Sequence, residues 1–269
     1  MDSYIFYIIM LLITGAGVGF ASGLLGVGGG FILVPILYWL MISIGIDPTI
    51  AIRVSLGTSL AVILPTALSG AYGHYKKEAV LIKPATYLAV TGIIGGFIGG
   101  TIASNIPGNF MTLIFGFAIL AIAFIMIITS NQENQGEKKD NISYYILTGL
   151  FIGIMSGLLG IGGGVIMIPF MTIFMKYSMH EAIGTSTAVI VFTSIGGIIS
   201  YVFNGLGVYG LLPYSVGYVN LLQFTLLVVV SVPMAQLGVK VAHRLPSKKL
   251  KYIFVALLVY IGLNMIGIV

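Results

Sequence analysis

The sequence has no cysteine and very little charge. The absence of cysteine from 269 residues excludes disulfides, thiolate metal sites and cysteine nucleophiles. Charged residues make up only 7% of the chain, against about a quarter in soluble domains, so polar groups cannot cover a globular surface. Hydrophobic residues make up 58%, in successive runs near the ~20 residues that cross a bilayer. The composition therefore predicts a polytopic membrane protein whose surroundings are the lipid bilayer.

Acidic residues and enzyme motifs are missing from the apolar runs. None of the seven acidic residues falls in the middle of a run, so the carboxylate relay of many proton-driven carriers is absent. Proton coupling would have to use His180, the substrate's own ionisation, or water. The chain also lacks a Gly-x-x-x-x-Gly-Lys-Ser/Thr loop and a His-Glu-x-x-His pair. We therefore expect no enzyme, no cofactor or metal, and no nucleic acid partner.

The chain is a duplication. Residues 22–30 read SGLLGVGGG and residues 156–164 read SGLLGIGGG, each followed by a proline at the same distance. Gly-Thr-Ser recurs in the next apolar run of each half. Such self-similarity indicates repeated structural units. The predicted organisation is a first transmembrane repeat at 1–130, a polar linker at 131–141 and a second repeat at 142–269.

Each half contains five apolar segments. All are expected to be helical, because only helices and closed barrels satisfy backbone groups in lipid and no alternating barrel pattern is present. In order, the segments are 4–26, 30–46, 51–73, 82–104, 109–130, 143–160, 164–178, 182–203, 217–241 and 250–268. The predicted fold class is an all-α membrane bundle.

The basic loops change place between the halves. The first half is basic at 76–83, whereas the matching stretch of the second half, 204–216, is uncharged. The second half is basic at 240–251, whereas its counterpart at 104–109 is uncharged. Under the positive-inside rule, the halves are then inverted repeats, with the linker and basic loops cytoplasmic and both termini outside. A duplicated bundle without a two-fold axis is the alternative.

The glycine runs are the sharpest local feature. Three consecutive glycines are poor helix interior, so we expect a broken or re-entrant helix whose following N-terminus offers free N–H groups to an anion. Inversion would bring the two breaks together near the midplane of the membrane. Close helix packing is the alternative role. The candidate substrate-binding glycines are Gly26, Gly28, Gly29, Gly30, Gly160, Gly162, Gly163 and Gly164.

The repeated Gly-Thr-Ser sets are further candidates. Their hydroxyls either line the pathway and donate to an oxyanion or bond their own helix backbone. These residues are Gly57, Thr58, Ser59, Gly184, Thr185 and Ser186. Ser22, Ser156, Thr66 and Thr193 are weaker candidates of the same kind.

Charged and aromatic candidates lie near the helix ends. Arg53 and His180 occupy matching positions in the two halves, where they act either as a gate or as interfacial anchors. His74 and His243 lie beside basic loops and are expected at the surface.

The doubled SGLLG[VI]GGG, the following proline and the Gly-Thr-Ser of the next helix resemble the TauE/SafE sulfite exporter family, also called the toluene sulfonate uptake permease family. The resemblance covers essentially the whole chain. It implies an inner-membrane carrier for sulfite, sulfonates or related organosulfur anions, with a pathway at 26–30, 160–164 and the two Gly-Thr-Ser sets. The family is usually described with fewer than ten spans, so one hairpin in each half would have to be re-entrant.

The resulting hypothesis is a secondary transporter that moves a small sulfur-containing anion by alternating access around a midplane site. The alternatives are an anion channel, a carrier for a non-sulfur anion such as a carboxylate or a metal complex, and a non-transporting membrane subunit. The sequence leaves open the exact substrate, the direction, the coupling ion and whether the protein is a homo-oligomer.

Overall fold

The computed structural model of the chain describes residues 2–128, 141–244 and 247–268. These residues form ten helices and one two-stranded antiparallel ribbon, which confirms the predicted all-α membrane fold. The elements are α1 (Asp2–Leu25), α2 (Gly30–Ser43), α3 (Pro48–Tyr75), α4 (Ile82–Asn105), α5 (Gly108–Ile128), α6 (Ile142–Leu159), α7 (Gly164–Ile173), α8 (Met179–Gly205), β1 (Ser215–Val216), β2 (Val219–Asn220), α9 (Leu221–Ala242) and α10 (Ser247–Met265).

Helix length separates long elements from short ones. Within the described residues, seven helices are long and apolar enough to cross a membrane. The helices α2 and α7 have 14 and 10 residues, and at ~1.5 Å per residue neither reaches the ~30 Å of a hydrocarbon core. Both short helices follow a glycine run, where a broken helix was predicted. The predicted linker lies outside the described residues apart from Asn141, which caps α6.

Local capping explains where several helices begin. Asp47 accepts hydrogen bonds from the first-turn amides of α3, and Ser178 forms a capping box with Glu181 at the start of α8. The ninth apolar segment was predicted to be helical from residue 217, which is wrong. Residues 215–220 form the ribbon instead, and the helix begins at Leu221 because the Asn220 side chain caps it.

Two helix pairs cross at stripes of small residues. A Cβ on Gly15 would lie 2.8 Å from the carbonyl oxygen of Leu227, and one on Gly23 would fall on the backbone of Ala235, so α1 and α9 run parallel in close contact. The helices α4 and α6 make the same contact, with Gly92 against Gly153. Lipid gives no hydrophobic drive between helices, so small residues that let backbones approach stabilise such pairs.

The long helices α3 and α8 form the centre of the bundle and run antiparallel. Gly70 of α3 lies against Thr187 of α8, and Leu60 of α3 lies against Gly197 of α8. Leu60 corresponds to Thr187 in the duplicated sequence, and Gly70 corresponds to Gly197. The contact is therefore reciprocal. Gly70 meets the counterpart of Leu60, and Leu60 meets the counterpart of Gly70, as in an isologous interface.

Candidate functional site

The two glycine runs leave the helices with the same backbone path. We call residues 26–30 the first glycine break and residues 160–164 the second glycine break. In each break, the first, third and fourth residues have positive φ, which favours glycine because it has no Cβ. The φ values are 68°, 79° and 75° at Gly26, Gly28 and Gly29, and 64°, 77° and 84° at Gly160, Gly162 and Gly163.

The breaks touch each other. A Cβ on Gly30 would lie 2.7 Å from the carbonyl oxygen of Gly160, and one on Gly164 would lie 2.8 Å from the carbonyl oxygen of Gly26. Any larger residue at either helix start would therefore strike the backbone of the opposite break. The glycines serve both the turn and the close approach, so the packing role and the break coexist.

The meeting point lies halfway along the central helices. Ile63 of α3 and Ile190 of α8 both approach Gly28 and Gly162, with Cβ-to-side-chain distances of 2.8–3.4 Å. Ile63 is near the middle of Pro48–Tyr75, and Ile190 is near the middle of Met179–Gly205. The structure thus brings together the two sets of glycines singled out in the sequence.

Hydroxyl groups hold the carbonyls of the breaks. Ser59 donates to the carbonyl of Gly160 at 2.7 Å, and Ser186 donates to the carbonyl of Gly26 at 2.9 Å. Each serine therefore reaches across to the break of the other half. Thr193 donates to the carbonyl of Gly162 at 2.8 Å. These carbonyl acceptors are satisfied by protein donors.

The amide donors of the breaks are not satisfied in the same way. Within residues 2–128, 141–244 and 247–268, the N–H groups of residues 27–30 and 161–164 donate to no acceptor. The first four N–H groups of any helix lack an intrahelical partner, which explains why the amides at the starts of α2 and α7 are free. The breaks therefore combine eight free amide donors with three carbonyls that hydroxyl donors occupy.

Two further hydroxyls lie beside the breaks without a partner. Ser22 and Ser156 are fully buried, and neither side-chain oxygen has a hydrogen-bond partner. Ser156 lies next to the second break, with its Cβ 3.2 Å from the position of a Cβ on Gly163. Ser22 is its counterpart in the first repeat. The sequence marked both as weak candidates only, since nothing in it indicates which serines lack partners.

The other members of the Gly-Thr-Ser sets hold the starts of α4 and α9. Thr58 accepts from the amide of Asn220 at 2.9 Å, and Thr185 accepts from the amide of Leu81 at 3.0 Å. A Cβ on Gly57 would lie 2.5 Å from the carbonyl oxygen of Tyr218, and one on Gly184 would fall on that of Ala79. These glycines therefore allow the segments before α9 and α4 to approach.

Arg53 joins three segments at one end of the bundle. Its Nη1 donates to the hydroxyl of Tyr218 at 3.2 Å, and its Nη2 donates to the carbonyl of Ile106 at 3.2 Å. The guanidinium carbon lies 5.8 Å from the centroid of the Tyr218 ring. The Nε atom is buried without a partner. Arg53 thus links α3 to the α4–α5 loop and to the ribbon.

His180 lies at the opposite end, as expected from the antiparallel packing of α3 and α8. Its ring is stacked on that of His243, with 5.5 Å between centroids. His243 is half-buried. The surface placement expected for His74 is wrong, because that residue is only 1% exposed between α1 and α9.

Protein surrounds both breaks. Every residue in the stretches 21–31 and 159–165 is buried. A solute therefore reaches the breaks only after the helices around them separate.

Known proteins resemble the chain over nearly its full length. A family model described as sulfite exporter TauE/SafE matches residues 11–265. A probable membrane transporter protein of Methanocaldococcus jannaschii is 29% identical over 96% of this chain and 94% of its own length. A probable membrane transporter protein of Haemophilus influenzae is 28% identical, covering 96% and 98%. The protein YunE of Bacillus subtilis, also a probable membrane transporter, is 26% identical, covering 96% and 97%. No solved structure matches the chain.

Proposed function

We propose that this chain, which belongs to the sulfite exporter TauE/SafE family of membrane transporters, carries a small sulfur-containing anion, such as sulfite or a sulfonate. The proposed mechanism is alternating access around the two glycine breaks.

The observation that carries the proposal is the imbalance of donors and acceptors at the breaks. The carbonyls of Gly26, Gly160 and Gly162 are occupied by hydroxyl donors, while the amides of residues 27–30 and 161–164 are free. This excess of free amide donors favours anions over cations. Each break also opens a helix, whose dipole places positive charge at its N-terminus.

The hydroxyls of Ser22 and Ser156 complete the proposed site. Both are buried without a partner, and an oxyanion supplies the acceptor that each lacks. A hydrogen bond to a charged partner contributes about 1.5–3 kcal/mol. Several such bonds offset much of the hydration that a small anion loses, which suits a carrier that must also release its substrate. Ser59 and Ser186 position the breaks in this proposal rather than binding the anion directly.

The closed surroundings of the breaks support alternating access. Breaks that are buried on all sides correspond to an occluded state. Separation of the helices at one end of the bundle or at the other would expose the site to one side of the membrane at a time. The reciprocal contacts of α3 and α8 support two inverted repeats, the arrangement in which many carriers place a midplane site between discontinuous helices. Arg53 is the proposed gate at one end, because separating Tyr218 and Ile106 from it would loosen three segments together.

The charges at the two ends support an orientation. Apart from Arg53, the Lys and Arg residues whose side chains the structure describes lie after α3, at the start of α4, before α8 or at the end of α9. The positive-inside rule then places this end in the cytoplasm and Arg53 outside. We propose a multi-pass protein of the cell membrane with its basic loops inside.

Flux of purified protein in liposomes tests the function. Sulfite, thiosulfate, methanesulfonate, sulfate and acetate are compared by counterflow, with empty liposomes as the control. Saturable exchange of a sulfur anion, stronger than that of acetate, is the expected result. Non-saturable current would indicate the channel alternative, and preference for acetate would overturn the sulfur assignment.

Substitution of the glycines tests the site. Gly29→Leu and Gly163→Leu place a side chain at a residue of positive φ, against Val18 of α1 and Ile152 of α6 respectively, and each is expected to abolish flux. Gly17→Leu is the matched control, since a Cβ on this α1 glycine meets nothing within 4 Å. Membrane insertion and detergent-extracted yield are measured in parallel. Normal flux in both site variants would remove the glycine breaks from the mechanism.

A further inference from the structure

All three histidines of the chain meet at one end of the molecule, although they are far apart in sequence. His74 lies in the last turn of α3, His180 in the first turn of α8 and His243 directly after α9. The ring of His243 lies between the other two, with centroids 5.3 Å from His74 and 5.5 Å from His180.

The hydrogen bonds of His74 fix the arrangement of protons. Its Nε2 lies 3.1 Å from the carbonyl oxygen of Gly23, and its Nδ1 lies 3.2 Å from Nε2 of His243. A carbonyl oxygen only accepts, so Nε2 of His74 carries a proton and Nδ1 of the neutral ring has a lone pair. His243 must then donate to His74 through its own Nε2.

This geometry gives the pair room for one additional proton. The proton enters at Nδ1 of His243, which is the half-buried partner. The shared proton can then move along the 3.2 Å bond to Nδ1 of His74, which transfers the positive charge to the buried ring. A second proton would leave two N–H groups facing each other with no lone pair between them. The two rings therefore form one proton site with coupled titration.

The surroundings keep this pair neutral near pH 7. Burial first, and then His180 and Lys77, hold the pKa of His243 below its usual value. The facing part of α1, residues 8–25, has no titratable side chain. The other charged groups on the neighbouring described segments are Lys76, Glu78, Lys83, Lys176, Glu181, Lys240 and Arg244. The pair therefore takes its proton only at a pH below the ordinary histidine pKa.

His74 connects this proton site to the first glycine break. Gly23 lies one helical turn before Gly26, whose carbonyl is held by Ser186. A charged donor makes a hydrogen bond roughly twice as strong as a neutral one. Protonation therefore tightens the contact between α3 and the segment of α1 that enters the break.

The second repeat has the same contact with a different donor. Tyr201 corresponds to His74, and its hydroxyl donates to the carbonyl of Gly157, the counterpart of Gly23, at 3.0 Å. A tyrosine hydroxyl does not titrate near neutral pH. The two repeats thus hold equivalent carbonyls, but only the first repeat does so through a group that protons can charge.

We propose that His74 and His243 form a proton-binding site that couples proton uptake to anion binding at the glycine breaks. This inference rests on the proposed function. A positive charge on the pair and a negative charge at the breaks attract each other, so each ligand raises the affinity for the other by the same factor. The coupled ligand is a proton, which the histidine pair binds without the help of an acidic side chain.

Affinity measured against pH tests the coupling. Methanesulfonate is the probe, because its charge stays constant between about pH 5 and 8, where histidine titrates. In the unaltered protein, affinity is expected to rise as the pH falls, by at most about tenfold per pH unit for one proton. The double variant His74→Gln/His243→Gln keeps a donor for Gly23 and removes both titratable rings of the pair, so its affinity should be independent of pH. An unchanged pH slope in this variant would overturn the coupling.

Tyr201→Phe is the matched control, since it removes the equivalent hydrogen bond without removing a titratable group. Its pH slope should match that of the unaltered protein, and loss of the slope there would overturn the assignment to His74. Histidine-labelled protein in nanodiscs supplies a readout that needs no substrate, because NMR follows only three rings. His74 and His243 should titrate together and take one proton. Independent titration would overturn the proton site, whereas failure to bind any sulfonate would count against the proposed substrate class alone.

Discussion

At the scale of single residues, buried hydroxyls with and without partners have different energetic roles. Ser59 satisfies the Gly160 carbonyl, so its removal leaves a buried acceptor unpaired. Ser22 and Ser156 have no partner to lose. A buried polar group without a hydrogen bond costs about 1–3 kcal/mol. Keeping two such groups at equivalent positions is unfavourable for the fold, which fits a role in binding a ligand.

The double variant Ser22→Ala/Ser156→Ala is therefore expected to be at least as stable as the unaltered protein but to bind its anion about tenfold or more weakly. Thermal unfolding in detergent and the KM for sulfite uptake measure the two effects. Ser59→Ala should show the reverse order, with a clear loss of stability. An unchanged KM in the double variant would exclude these serines from the site.

At the scale of helices, glycine has two uses that a sequence pattern alone does not separate. In α1, Gly19 lies against the backbone of Ser231 in α9, whereas Gly17 faces open space. In the breaks, the glycines both adopt positive φ and allow close contact with neighbouring backbone or side chains. The helix pairs α1–α9 and α4–α6 thus depend on glycine spacing, and the breaks depend on glycine conformation.

Gly19→Leu should force α1 and α9 apart, because its Cβ would fall on the Ser231 backbone. We expect a strong loss of monodisperse protein after detergent extraction, measured by size-exclusion chromatography. Gly17→Leu should behave like the unaltered protein. Equal yields of the two variants would show that the α1–α9 contact does not stabilise the bundle.

At the scale of the whole molecule, the antiparallel packing of α3 and α8 has a consequence for topology. Lys77 follows α3, and Tyr209 follows α8. Inverted repeats place these two positions on opposite sides of the membrane, whereas repeats of the same orientation place them together. The chain has no cysteine, so single cysteine substitutions can be labelled without background.

Lys77→Cys and Tyr209→Cys are therefore informative as a pair, since Lys77 is exposed and Tyr209 is 95% exposed. An impermeant maleimide added to intact cells should label Tyr209→Cys, and should label Lys77→Cys only after permeabilisation. Labelling of both positions from the same side would contradict the inverted arrangement.

Much of the fold follows from the sequence by itself. Low charge and long apolar runs fix the membrane class, and the ten helices match the ten predicted segments because lipid leaves the backbone no other regular choice. Triple glycines place the two breaks, since no other residue adopts those φ values as readily. The error at residue 217 arose because an apolar run does not show where a side-chain cap starts a helix.

Tertiary structure decided which polar groups of the site are free. The repeated motifs marked Ser59 and Ser186 as candidates and Ser22 and Ser156 as weaker ones, yet the first two bind carbonyls of the opposite repeat and the last two have no partner. The meeting of three distant histidines is equally invisible along the chain. The sequence pattern determines which helices form. Which of their side chains form hydrogen bonds depends on the distances between helices, and only the tertiary structure sets those distances.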